Sequence, residues 1–255
     1  FETRGLNRPV VESTETITDR HRAVQGLFYP INSRQQVSYF LDRIFGAQRL
    51  WFDDDKLMRK ALLGGEITGY YPRSSTQYAY EETGLISLTK VVDPLAGPVV
   101  HAGDLVLKPA SPLLVYGQLG VAALWSLSIV SSLLFLPVWG FRKLRGKRIS
   151  GATLRIRVWP LLASLAVCAI VGLFALGMAD PFERLGKPSS VSVGITLCTI
   201  LFATFAALGV SKSIGARRAP MNRANYWHSG IASVVHAVVA IYLLWFGVIG
   251  IMTWA

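Results

Sequence analysis

Residues 158–179 read VWPLLASLAVCAIVGLFALGMA. This run contains no Asp, Glu, Lys or Arg, and it is long enough to cross the hydrocarbon core of a bilayer as a helix, which takes roughly 20 residues. Three further runs, at residues 115–140, 191–210 and 228–254, have the same character. The sequence therefore predicts an all-α bundle of four membrane-spanning helices in residues 113–255.

The formal net charge of +11 comes from two of the short segments that separate these runs. Residues 1–112 carry 13 Lys/Arg and 13 Asp/Glu, whereas residues 141–157 and 212–225 carry eleven basic residues and no acid. Short loops rich in Lys and Arg stay in the cytoplasm. We therefore expect a multi-pass protein of the cytoplasmic (inner) membrane of a bacterium, with both chain ends extracytoplasmic and no nucleic-acid partner.

The first 112 residues differ in kind, because they mix charges, turn residues and short apolar runs. A strand is predicted at residues 23–31, an amphipathic helix at 33–46, a second short helix at 56–63, and β segments between 78 and 107. The resulting fold class is an α+β extracytoplasmic segment with a β-rich linker, residues 1–112, followed by the transmembrane domain, residues 113–255. Because this segment must be exported, we expect a signal peptide or a larger region upstream.

Ser87 and Lys90 match the Ser-x-x-Lys pattern in which a lysine activates a serine nucleophile, and residues 101–103 (HAG) match the His-x-Gly element of the same enzymes. That chemistry needs the serine at the start of a helix, so that the lysine lies one turn away. The surrounding apolar and β-branched residues favour a strand, which would place Ser87 and Lys90 on opposite faces. We predict no catalytic residue here and keep both residues as candidates to test.

His236 lies about two turns inside the fourth apolar run, where an ionisable group is a functional candidate. The alternative is a neutral imidazole that hydrogen-bonds a serine or a carbonyl of a neighbouring helix, and the sequence favours it because the apolar runs contain no carboxylate for a proton relay. The aspartates at 53–55 fit a solvated acidic turn better than a cation site. No zinc-type Cys/His cluster or glycine-rich nucleotide loop is present, so neither a metal nor a cofactor is expected.

Five segments share a family resemblance: residues 26–33 (GLFYPINS), 39–46 (YFLDRIFG), 69–73 (GYYPR), 155–165 (RIRVWPLLASL) and 247–254 (GVIGIMTW). Together they resemble the carboxy-terminal region of membrane-anchored serine hydrolases of the class C β-lactamase and penicillin-binding-protein superfamily. In that family the catalytic motifs precede the late strand, to which residues 26–33 are similar, and nothing before Gly26 has room for them. A weaker similarity, of residues 13–45 to the end of an α/β-hydrolase, would make His21 a triad member.

The resemblance implies that the chain is the linker and membrane anchor of an envelope serine hydrolase, without catalytic motifs of its own. An upstream hydrolase domain would then pack on residues 1–46, which we expect to be the end of a larger sheet with an unpaired edge. The alternative is an accessory integral-membrane subunit whose outer domain binds a protein partner. A transporter or sensor that uses His236 is a third hypothesis, which lacks the broken helices and paired charges of such proteins.

Overall fold

The computed structural model describes residues 17–33, 38–146 and 150–254. The chain divides into two compact units, Phe1–Leu119 and Gly120–Ala255. The described part of the first unit contains two short helices, α1 (Asp19–Arg22) and α2 (Tyr39–Phe45), and the start of a longer helix. It also contains eight strands: β1 (Gly26–Pro30), β2 (Gln48–Asp53), β3 (Lys56–Ala61), β4 (Thr68–Pro72), β5 (Gln77–Tyr80), β6 (Ile86–Asp93), β7 (Gly97–Ala102) and β8 (Leu105–Ala110).

The eight strands form a closed barrel in which each strand pairs with its neighbour in the chain. All of the pairings are antiparallel, and the first and last strands close the ring. Leu27 of β1 lies opposite Arg49 of β2 on one edge and opposite Ala110 of β8 on the other. Since closure leaves no strand with a free edge, the barrel satisfies its own backbone hydrogen bonds.

The interior of the barrel is filled by its own side chains. An eight-stranded barrel is narrow enough for side chains to fill its interior, and each strand supplies at least one buried residue to the core. These residues are Phe28, Leu50, Leu57, Tyr70, Tyr78, Leu88, Val100, Ala102 and Leu107.

This barrel shows that the α+β prediction for residues 1–112 was wrong. Residues 56–61, predicted as part of a helix, form β3, and β1 is paired on both edges instead of ending a larger sheet. The strands contain only four to eight residues, so each displays little of the alternation that identifies a longer strand. The predicted helix at 33–46 survives as α2, which starts at Tyr39; Val37, which contributed to its pattern, lies outside the described residues.

The prediction of four membrane-spanning helices was correct, and the protein is a multi-pass membrane protein. Four segments of the described chain are long and apolar enough to cross a membrane. The first consists of α3 (Pro112–Leu133) and α4 (Phe135–Leu144), and the others are α5 (Gly151–Met178), α7 (Ser190–Gly215) and α8 (Arg223–Trp245). A single turn of helix, α6 (Pro181–Arg184), lies between α5 and α7.

The fourth helix is shorter at its end than the apolar run predicted, because α8 stops at Trp245. Gly247 and Gly250 follow it with positive φ angles of 69° and 78°, which turn the chain out of the helical path. The hydroxyl of Thr196 on α7 donates to the carbonyl of Ile251 at 2.6 Å, and the amide of Gly250 donates to Oγ1 of Thr199 at 2.9 Å. Residues 246–254 therefore fold back onto α7.

Small residues form the closest helix contacts in the second unit. Gly209 of α7 lies against α8 so tightly that an added Cβ would be 2.8 Å from Oγ of Ser233. Ser164 of α5 and Ser233 of α8 are both buried. Close backbone approach is what holds helices together in lipid, where no hydrophobic force drives them.

Candidate functional site

Ser87 and Lys90, the candidate nucleophile and its activator, lie on β6. Leu88 between them points into the barrel, so Ser87 lies on the outer face and Lys90 on the inner one. Thr89 pairs with His101, which places His101 on the same outer face as Ser87. The hydroxyl of Ser87 is buried and makes no hydrogen bond to the described residues. This strand geometry separates the serine from the lysine, and absence of hydrolase activity stays a prediction.

His21 lies in the barrel core, far from the arrangement that a catalytic triad requires. It is 1% exposed, and its ring meets the ring of Tyr78 edge to face, with centroids 6.2 Å apart. Nδ1 accepts a hydrogen bond from the backbone N–H of Thr18 at 3.1 Å, so the proton of a neutral His21 is on Nε2. The phenol of Tyr78 donates to the carbonyl oxygen of His21 at 3.5 Å. His21 is thus a packing residue that ties α1 to the barrel.

Arg59 crosses the lumen of the barrel. It belongs to β3, and its Nη1 donates to the carbonyl oxygen of Ala102 on β7 at 3.3 Å. Strands β3 and β7 are four positions apart in the ring of eight, so the side chain spans the full width of the barrel. Arg59 thus adds a charged side chain to the packed residues of the barrel.

The outside of the barrel carries a rigid apolar projection at the β6–β7 turn, residues 92–96, which we call the apolar tip. Val92 is 76% exposed and Leu95 is 99% exposed. Oδ1 of Asp93 accepts hydrogen bonds from the backbone amides of Leu95 at 2.8 Å and Ala96 at 2.7 Å. These bonds hold the pKa of the Asp93 carboxyl below its usual value. The carboxylate thus constrains the backbone of the turn that carries the exposed side chain of Leu95.

A polar pair occupies a different part of the barrel surface. Nζ of Lys56 lies 2.6 Å from Oε1 of Glu81 and 5.0 Å from the centre of the Tyr71 ring. The hydrogen bond from Lys56 to Glu81 raises the pKa of the lysine, with Tyr71 contributing in the same direction. Because this pair is solvated, its effect on stability is small. We therefore assign no binding role to this ion pair.

His236 forms the polar centre of the helical unit. It is fully buried, and its Nδ1 lies 2.7 Å from the carbonyl oxygen of Ala232, so this nitrogen carries a proton. Its Nε2 lies 3.2 Å from Oγ of Ser164 on α5, and that hydroxyl is also 2.8 Å from the carbonyl oxygen of Pro160. The contact to Ser164 joins α5 to α8 and is of the kind that the structural interpretation of His236 describes, whereas Ala232 belongs to the same helix as His236.

Aromatic rings surround this contact. Phe202 of α7 lies 6.0 Å from the His236 ring, and Trp125 of α3 meets Phe202 edge to face at 6.2 Å, measured between centroids. The indole N–H of Trp125 is buried and has no hydrogen-bond partner in the described part of the chain. The stack extends from α3 through α7 to α8.

The apolar tip is the feature that sequence reasoning missed. The β segments predicted between residues 78 and 107 include β6 and β7, but they do not predict the exposed turn between these strands. The signal was present in residues 91–100 (VVDPLAGPVV), where Asp-Pro and Gly-Pro enclose a leucine between two pairs of valines. The exposure of that leucine became evident only from the closed barrel.

The described residues contain no group of three or more His, Cys, Asp and Glu side chains placed to hold a metal ion. Comparisons of the chain with protein-family models, with curated proteins and with solved structures found no significant match.

Proposed function

We propose that this protein is a non-catalytic membrane anchor that presents its barrel to a protein partner at the outer face of a bacterial cytoplasmic membrane. The observation that carries the proposal is the apolar tip, on a barrel with a packed core of its own. Leu95 and Val92 expose apolar surface to solvent, and burial of that surface against a partner would be favourable.

The orientation rests on charge. The excess of Lys and Arg lies in two segments, one where α4 is followed by α5 and one where α7 is followed by α8. In the segment between α5 and α7, Lys187 is paired with Glu183. This bias favours cytoplasmic placement of the two basic segments. The barrel, which precedes the first span, is then extracytoplasmic.

The sequence resemblance suggests the class of partner, an envelope serine hydrolase of the β-lactamase and penicillin-binding-protein type. Such a hydrolase would contact the outer side chains of the barrel and would not continue its sheet, because β1 has both edges occupied. An accessory subunit for another class of envelope protein is the second candidate, and the apolar tip serves it equally well. The identity of the partner distinguishes the two.

A photo-crosslinking amino acid at Leu95, in the full chain in a bacterial host, tests the proposal. Thr83 is the matched control, since it is an exposed turn residue elsewhere on the barrel. We expect a discrete adduct from position 95 and none from position 83, and we expect Val92→Asp to abolish it. An adduct that also reacts with a fluorescent penicillin or fluorophosphonate identifies the hydrolase, and one that does not identifies the accessory role. Equal adducts at both positions, or none at position 95, would refute the proposal.

A further inference from the structure

Near the start of α5, Arg157 contacts residues of α4 and α8. Arg157 of α5 is central: its Nη2 donates to Oδ1 of Asn225 on α8 at 2.6 Å. Its guanidinium carbon is 4.9 Å from the centre of the Phe135 ring on α4. The planar group therefore contacts both an amide and an aromatic ring.

Other basic residues act on Arg157. Arg142 of α4 lies close enough to Arg157 to repel it, and Arg157 acts in the same unfavourable way on a protonated His228. We call Arg142, Arg157, Asn225 and His228 the basic-end cluster. In residues 113–255 the acids are Asp180 and Glu183, which follow the opposite end of α5. No carboxylate is available to neutralise the cluster.

Arg157 also keeps an unused donor. It is half-buried, and its Nε–H is buried without a hydrogen-bond partner among the described residues. A buried donor on a charged group costs free energy until an acceptor reaches it. An anion with several oxygens, arranged in a plane or a tetrahedron, matches the geometry of the guanidinium donors. Its negative charge would also reduce the repulsion between the basic side chains.

The position of the cluster selects the anion. Tyr226 and Trp227 lie beside Asn225 at the start of α8, and Trp139 lies one turn before Arg142 at the end of α4. Such aromatic residues mark the level of the lipid headgroups, where the acceptor oxygens belong to phosphate. We propose that the basic-end cluster binds a phosphate group, carried by an anionic lipid headgroup or free in solution, with Arg157 as the principal ligand and Asn225 as its positioning residue.

The test uses the full chain in nanodiscs. Binding is measured by native mass spectrometry and by the thermal unfolding midpoint, with cardiolipin or phosphatidylglycerol titrated into phosphatidylcholine in one arm and inorganic phosphate added to pure phosphatidylcholine in the other. Arg157→Gln is compared with Arg155→Gln. Arg155 is exposed and lies two residues before Arg157, so this control removes an equal charge from outside the cluster. Arg157→Lys keeps the charge and loses the fork, so it serves if the glutamine variant unfolds.

We expect Arg157→Gln to weaken binding about tenfold, the loss of one charge-assisted contact, with Arg157→Lys intermediate and Arg155→Gln within about twofold of the parent. Saturation by anionic lipid identifies a headgroup, and saturation by inorganic phosphate identifies the free ion; either result with this order of variants supports the site. Equal losses in the Arg155 and Arg157 variants, or no saturable binding in both arms, would overturn it.

Discussion

Ser164 determines whether the polar contact between α5 and α8 exists. Its hydroxyl lies between Nε2 of His236 and the carbonyl oxygen of Pro160, and the whole contact is buried. We predict that Ser164→Ala lowers the free energy of unfolding by about 0.5–1.5 kcal/mol, the range for interhelical hydrogen bonds in membranes. Unfolding of the full chain by detergent titration measures it.

Ser126→Ala is the control for Ser164→Ala. Ser126 is exposed, and its hydroxyl donates to the carbonyl of Ala122 in its own helix at 3.0 Å. The control should change stability by less than about 0.5 kcal/mol. Equal effects of the two substitutions would mean that the contact to His236 does not stabilise the bundle.

Asp93 makes the apolar tip sensitive to acid. The amides of Ala96 and Leu95 lower the pKa of the Asp93 carboxyl in the folded state. The resulting stabilisation is fully present above the pKa of an unfolded aspartate, about 3.9, and is lost as the pH falls through the lowered pKa of the folded state. We predict that the amides of residues 91–99 exchange faster, relative to their intrinsic rates, when the pH lies below this lowered pKa, and also in Asp93→Ala at neutral pH. Exchange detected by mass spectrometry measures it, and unchanged exchange in Asp93→Ala would contradict the predicted role.

Hydroxyl groups of α7 hold the carboxy-terminal segment in place. The amide of Gly250 donates to Thr199, so Thr199→Val removes its acceptor while it keeps the side-chain shape. We predict about fivefold faster exchange of that amide, the equivalent of about 1 kcal/mol for one hydrogen bond. Thr204→Val is the matched control, because Thr204 is exposed and bonds only within its helix as far as the structure describes it. Equal exchange in both variants would exclude this anchoring.

Elements of the two units differ in how far the sequence predicts them. A spanning helix is an unbroken apolar run of about 20 residues, so residues 158–179 identify α5 without tertiary information. β3 reads KLMRKA, in which Leu57 alone is fully buried, and no periodicity separates it from a helix. The end of α8 was overestimated because Gly247 and Gly250 act through their backbone conformation, which hydropathy does not register.

The same limit applies to the candidate sites. His236 was identifiable because an ionisable residue stands out in an apolar run. Arg157 was counted only as a topology signal, because its partner Asn225 lies 68 residues away in the chain. Single-sequence patterns register neighbours three or four residues apart, and cannot place such a pair together.

For the molecule as a whole, closure of the barrel changes the expectation for the isolated outer segment. An unpaired sheet edge would aggregate, whereas a closed barrel with a filled core folds by itself. We predict that residues 1–119 give a monomer with one cooperative thermal transition, and that Leu57→Ala destabilises it by about 2–5 kcal/mol. The exposed Leu95→Ala is the control and should change little. A broad, uncooperative transition of the parent would refute autonomous folding.

Membrane topology is a further prediction at this scale. In a background that lacks Cys168 and Cys198, a single cysteine at Lys187 should react with a membrane-impermeant maleimide on intact cells, because its loop is predicted to be extracytoplasmic. A cysteine at Arg218 should react only after the cells are permeabilised. The reverse pattern would invert the proposed orientation.

Barrel closure also sets an order of events during synthesis. Strands β1 to β7 can pair as each emerges, but β1 keeps one free edge until β8 is made, and Ser111 alone separates β8 from α3. The ribosome is therefore already producing the first span when the last strand becomes available. The nascent chain thus carries an exposed edge, the form most open to misassembly, until its insertion into the bilayer has begun.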